Sequence, residues 1–171
     1  MASNIVAYLA ISLDGYIADD DGVVTFLHDF GTEEYKFHDF IAGIGAAVMG
    51  ATTYEQVLGF GWPYGEMPVL VLTHRDFDTP DGANVTFTSE STGTAIATFA
   101  EDMDKRVWII GGGKVVTAAL RAGIVDTLEL YTMPVALGSG VPLFDGPYEG
   151  SLRLIESHAY SNGVVRLEYE V

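Results

Sequence analysis

Two stretches of this chain put glycine where an apolar strand gives way to a helical pattern: Met49-Gly50-Ala51-Thr52-Thr53-Tyr54-Glu55 and Ile110-Gly111-Gly112-Gly113-Lys114-Val115. A bare main chain at such a corner lets a ligand approach closely, and the first helical N–H groups then point at an anion. Neither stretch is a standard phosphate motif. A dinucleotide fingerprint wants glycine where Val116 stands, and a P-loop wants Ser or Thr after Lys114, where Val115 stands. Close packing of a helix on a strand reads the triple glycine equally well. A third stretch, Leu72-Thr73-His74-Arg75, delivers hydroxyl, imidazole and guanidinium groups at the end of another apolar run. In an open parallel sheet, ligands sit beyond the carboxyl ends of the strands. Two glycine-to-helix turns brought to one edge can hold a bridging diphosphate, and Thr73, His74 and Arg75 then suit a further phosphate. That combination describes a phosphorylated dinucleotide.

Composition narrows the classes. With 171 residues, 49% of them hydrophobic, one domain spanning 1–171 with a full core is expected. The net charge of −16 opposes a phosphate polymer, because nucleic-acid affinity rests on clustered cations and only eight Lys and Arg are present. Lys114 and Arg75, beside a glycine turn and a strand end, are therefore the candidate anion partners. Neither a membrane span nor an export signal is indicated, so the cytoplasm is expected. Absence of cysteine excludes disulfides and thiolate metal sites. Asp19-Asp20-Asp21-Gly22 lacks the spacing of a calcium loop, and His28, His38 and His158 show no ligand spacing; no metal is expected.

The elements that must position these groups alternate. Strands are expected at 4–12, 46–50, 68–73, 84–88, 107–110 and 126–134. Helices are expected from Thr32, with Glu33 and Glu34 in the first turn and Phe37, Phe40, Ile41 and Ile44 as the apolar stripe, and then over 52–57, 95–103 and 114–122. The chain closes with a hairpin, 152–160 and 164–171, around Ser161-Asn162-Gly163. Its last strand alternates Val165, Leu167, Tyr169 and Val171 against a wet face of Arg166, Glu168 and Glu170. This pattern implies an α/β fold with a mixed, mostly parallel central sheet, helices on both faces and a C-terminal antiparallel hairpin.

Five motifs in order carry a resemblance that spans nearly the whole chain: Ser-Leu-Asp-Gly-Tyr-Ile-Ala at 12–18, Met-Gly-x-x-Thr-Tyr-Glu at 49–55, Leu-Thr-His-Arg at 72–75, Ile-Gly-Gly-Gly-Lys at 110–114 and Pro-Val-x-Leu-Gly-x-Gly-x-Pro-Leu-Phe at 134–144. The chain resembles the dihydrofolate reductase-like superfamily, and more closely the stand-alone relatives of the reductase domain at the C-terminus of the bacterial riboflavin-biosynthesis protein. The resemblance implies the three-layer fold of that superfamily. It also implies an NADPH-dependent oxidoreductase transferring a hydride to a small pterin-like, pyrimidine-like or carbonyl substrate, as dihydrofolate reductase and 5-amino-6-(5-phosphoribosylamino)uracil reductase do. Carried over motif by motif, Gly50, Thr52, Thr53, Gly111, Gly112, Gly113, Lys114 and Val115 would hold the diphosphate. Thr73, His74 and Arg75 would face the adenosine 2′-phosphate, and Ile17 and Ala18 the nicotinamide. Dihydrofolate reductases commonly carry a basic residue after Met-Gly; here Ala51 stands there, so that part of phosphate recognition falls to Arg75 or is weaker.

Hydride transfer usually needs a proton source beside the reduced carbon. Counting back without gaps from Met49-Gly50, the resemblance puts Glu34 at the position of the acid, although Glu33 and Glu34 also read as ordinary first-turn helix acids. Asp14, Phe37, Trp62 and Tyr131 are candidate substrate contacts; Asp14-Gly15 is first a turn signal, and Trp62 and Tyr131 are equally core aromatics. The Leu-Pro pair of folate enzymes is missing, and Val116 stands where they often show tyrosine. A non-catalytic NADP(H)-binding or regulatory protein with the same cleft is the alternative reading. The apolar C-terminal strands and the resemblance suggest a homodimer.

Overall fold

The computed structural model describes residues 4–31 and 35–171. Among the described residues, ten strands and four α-helices follow one another as β1 (Ile5–Ser12), β2 (Tyr16–Ala18), α1 (Phe37–Ala42), β3 (Ile44–Gly50), α2 (Ala51–Phe60), β4 (Val69–Leu72), β5 (Val85–Thr88), α3 (Thr92–Glu101), β6 (Arg106–Gly111), α4 (Gly113–Arg121), β7 (Thr127–Met133), β8 (Val141–Pro142), β9 (Arg153–Ala159) and β10 (Val165–Glu170). A 3-10 turn at Thr25–Leu27 lies between β2 and α1.

Eight strands form one sheet in the order β5-β4-β3-β6-β1-β7-β10-β9. The first six run parallel; β10 is antiparallel to β7 and β9 to β10. The chain enters at β1, builds outward through β3, β4 and β5, then returns to insert β6 between β3 and β1. Strand periodicity sorts the side chains of β1 onto two faces. Ile5, Ala7 and Leu9 join Val107, Ile109, Leu128 and Leu130 under α3 and α4, which contribute Ile96, Val116, Ala119 and Leu120. On the other face Ala47, Met49, Val69 and Val71 pack with Tyr54 and Val57 of α2, and Val6 and Trp108 pack against Phe37, Phe40 and Ile41 of α1. Fully burying a side chain such as Tyr54 or Met49 contributes on the order of 2 kcal/mol. The result is an α/β fold of helix, sheet and helix layers closed by an antiparallel hairpin.

Two expectations change. Ile44, grouped with the stripe of the first helix, opens β3 and is buried. The described helix begins only at Phe37, after Lys36 in a left-handed conformation with φ of 51°, and ends against Gly43. A spacing of three and four cannot tell a further helical turn from the first inward residue of the next strand. The wet face of the last strand is also drier than alternation suggests. The Arg166 side chain is only 18% exposed and lies among the carboxylates of Glu129, Glu156 and Glu168 at 2.6–2.7 Å, with Glu129 itself buried.

Candidate functional site

Parallel strands deliver their carboxyl ends to one edge, and there a cleft of about 780 Å³ opens. Because β6 is inserted between β3 and β1, the triple-glycine corner falls between the Gly50 turn and the Ile17-Ala18 strand. A methyl group at Gly50 would stand 3.2 Å from Val115 and 4.0 Å from the Gly112 nitrogen, and one at Gly112 3.9 Å from the Thr53 hydroxyl. The two helix starts thus adjoin. Neither α2 nor α4 has a side-chain cap at its N-terminus, Gly50 and Gly112 occupying the capping positions in extended conformation. First-turn N–H groups without a side-chain acceptor, backed by two converging helix dipoles, can cradle a diphosphate.

The three glycines of the corner differ in what demands them. Gly111 has φ of 144°, a conformation that excludes a side chain, and a methyl at Gly113 would overlap the Pro142 carbonyl oxygen. Gly112 has φ of −80°, and a methyl there would touch nothing closer than Ile17 at 3.8 Å. Packing alone accounts for Gly113, while at Gly112 the methyl would project into the cleft.

At the far side of this end, Thr73 and His74 line the cleft with Arg75, whose guanidinium makes two hydrogen bonds with the Glu55 carboxylate, at 3.0 and 2.9 Å, and covers the Phe77 ring at 5.0 Å. Lys114 lines the cleft from the first turn of α4 and is exposed. Around Tyr8 the lining is apolar: Phe37, Trp108 and Ile110 pack with it in one cluster and Ala10 and Leu27 in another. Gln56 closes the side wall by donating to the Gly22 carbonyl.

Every residue assigned to the cofactor from sequence, from Ile17 and Ala18 through Val115, lines this single cleft. The substrate set divides. Phe37 lines the cleft. Trp62 sits beside Tyr54 and Tyr64, its indole donating to the Gly65 carbonyl, and does not line it. Tyr131 is buried one layer behind, its hydroxyl hydrogen-bonded to that of Tyr8 and donating to Glu129 at 3.1 Å. Burial pushes the Tyr8 hydroxyl up to about 12 and Tyr131 higher still, so both hold their protons at neutral pH. Asp14 holds a turn: it accepts from Ser12 at 2.6 Å and from the Leu137 and Gly138 amides at 3.0 and 2.7 Å. Those bonds, the Ser12 hydroxyl first, lower its carboxyl to about 2. Asp14 thereby ties the loop after β1 to the loop after β7, where β2 and β8 pair. Glu34 lies outside the described residues.

Tyr8, Trp108 and Gln56 were not singled out from sequence, and Glu55 entered only as a letter of the 49–55 motif, without a role. Tyr8 and Trp108 read as ordinary strand aromatics; their shared face follows only from the pairing of Val6 with Trp108 and the two-residue period.

The model of the RibD C-terminal domain matches residues 3–166 of this chain. The uncharacterized protein YwjB of Bacillus subtilis (strain 168) is 33% identical over 147 residues, covering 84% of each chain. Among solved structures, a candidate riboflavin biosynthesis protein of Shewanella sp. PV-4 superposes with a TM-score of 0.81 at 27% identity, covering 99% of this chain and 98% of that one. Dihydrofolate reductase from Enterococcus faecalis, complexed with NADP(H), shares the fold at a TM-score of 0.71 and 17% identity, over 99% and 97% of the two chains. These matches support a reductase-type function. With its strand-end motifs gathered around one cleft, this chain belongs to the RibD C-terminal domain family and shares its fold with dihydrofolate reductase.

Proposed function

We propose that this chain is an NADPH-dependent reductase of a small heterocyclic or carbonyl substrate. The observation that carries this reading is the meeting of two uncapped helix starts, Gly50 and Gly112, in one cleft that also receives Thr53, Lys114 and Arg75. The diphosphate would lie on the amides of α2 and α4, with the Thr52 and Thr53 hydroxyls beside it and Lys114 neutralising charge. The 2′-phosphate would meet Thr73, His74 and Arg75. Ile17 and Ala18 would bound the nicotinamide, whose chemistry when bound is hydride donation. Phe37, Tyr8 and Trp108 bound the space left for the acceptor and exclude water from it. Glu34, which the resemblance puts at the position of the acid, is the candidate for the proton-supplying group.

Titration with NADPH and NADH, followed by nicotinamide emission, tests the reading. Saturable binding with NADPH the tighter is expected, and no binding of either up to about 1 mM would end it. Glu34→Gln is expected to lower turnover about a hundredfold on any accepted substrate while leaving NADPH binding unchanged.

The working unit is a homodimer in the cytoplasm. The edge strand β9 is exposed along its whole length, and Leu154 and Ile155 are each 50% exposed on it. An open edge carrying large apolar side chains is a surface that a second copy would cover.

A further inference from the structure

The acceptor end of the cleft has a definite chemistry. Three of its rings make one continuous wall: Tyr8, Phe37 and Trp108 meet pairwise at centroid distances of 6.0, 5.9 and 6.2 Å. Their polar tips are spent within the protein. The Trp108 indole N–H donates to the Tyr8 carbonyl at 3.1 Å, and the Tyr8 hydroxyl bonds to that of Tyr131.

What holds a phosphate is equally definite, and it lies elsewhere. Of the eight cations in the chain, Arg75 and Lys114 line the cleft, both at the end of the glycine corner. Arg166 is enclosed by three carboxylates, and Arg153 pairs with Glu170. Arg121 donates to the Pro147 carbonyl and Lys105 to that of Ala42. Arg106 covers the Phe40 ring at 5.6 Å, and Lys36 acts on the Glu156 carboxylate of β9. The three residues between 31 and 35 are Thr32, Glu33 and Glu34, which contain no cation. A phosphate at the acceptor end would therefore lie against aromatic carbon with no described Lys or Arg lining that part of the cleft, in a molecule of net charge −16.

We propose that the acceptor compartment takes a flat, uncharged ring of the quinone or aromatic-heterocycle class, without a phosphate. This separates the substrate of this chain from the ribosyl-phosphate pyrimidines of riboflavin biosynthesis, and it rests on the reductase reading for the reaction though not for the binding. In that reaction a quinone gains one hydride from the reduced nicotinamide and one proton from the acid or water, becoming the hydroquinone.

The test is a titration of the nucleotide-free protein with menadione, a neutral naphthoquinone, following tryptophan emission; Trp108 lines the compartment and Trp62 does not. The expected result is saturable quenching that is lost in Trp108→Phe and weakened about tenfold in Phe37→Ala, with no displacement by ribose 5-phosphate. Phe37 is half-buried on a short surface helix, so its variant keeps the test valid should Trp108→Phe fail to fold. Displacement of menadione by ribose 5-phosphate, or the absence of saturable quenching, overturns the proposal. NADPH binding, measured separately by its own emission, distinguishes the two failures. A protein that binds NADPH and ribose 5-phosphate loses only this inference; one that binds menadione and no nucleotide loses the reductase reading and keeps the ring site.

Discussion

Glu55 governs how freely Arg75 can meet an anion. The pair is bidentate, yet both side chains are about half exposed, 53% and 47%, and an exposed pair of this kind contributes about 0.5 kcal/mol, well below a guanidinium–phosphate contact. A 2′-phosphate is thus expected to displace Glu55 at small cost. Glu55→Gln should tighten NADPH by about twofold, the 0.5 kcal/mol released, and Arg75→Gln should weaken it about tenfold, with NADH unchanged in both. Equilibrium titration with the two nucleotides checks this, and a parallel change for NADH would place Arg75 outside 2′-phosphate recognition. The glycines of the corner make a second pair of predictions. Gly113→Ala sets a methyl against the Pro142 carbonyl and should cost about 3 kcal/mol of stability in urea denaturation. Gly112→Ala meets nothing closer than 3.8 Å and should leave the melting temperature within a few degrees while abolishing nucleotide binding. The run of three glycines is legible in the sequence as a corner; which glycine packing demands and which it leaves open to the cleft is not, because the overlapping partner, Pro142, lies 29 positions on in another loop.

At the scale of elements, Asp14 and Arg166 show how local residues become structural through distant partners. The Asp14 carboxyl, lowered from 3.8 to about 2 by Ser12 and the 137–138 amides, favours the folded state in its charged form. Its contribution is therefore present above pH 4 and lost as pH falls towards 2. Wild-type stability should drop across that window, and Asp14→Asn should remove this part of the slope, as read by denaturation at pH 5, 4, 3 and 2. Arg166 neutralises the buried Glu129 at 2.6 Å, so Arg166→Met leaves a carboxylate unpaired beneath Tyr131 and should cost about 4 kcal/mol. Adding Glu129→Gln to Arg166→Met should recover much of that loss, which a double-mutant cycle measures. Strand alternation marks Arg166 as solvent-facing, since the pattern of one strand records only which face a residue takes; that β7 sets Glu129 beside this face is a fact of pairing. The first helix illustrates the same limit. Its apolar spacing runs on into Ile44, and only the left-handed Lys36 and the turn at Gly43 bound the described helix to Phe37–Ala42.

For the whole molecule, the exposed edge strand β9 is the surface through which two copies would meet. Ile155→Lys should shift sedimentation from dimer to monomer with the fold intact, while a wild-type monomer at micromolar concentration would remove the dimer reading. The sequence by itself determined the alternation of strands and helices, the closing hairpin and the strand-end motifs, because hydrophobic period and turn chemistry are local properties. Those motifs supplied the candidate nucleotide contacts, from Ile17 to Val115, and each of those residues lines the cleft. Tertiary structure alone decided the order β3-β6-β1, which sets the glycine corner between two other chain ends. It also decided that Trp62 and Tyr131 stand outside the cleft while Tyr8 and Trp108 line it. The physical reason is that strand insertion and cross-strand pairing join residues about 100 positions apart, and no local periodicity encodes which pairs will meet.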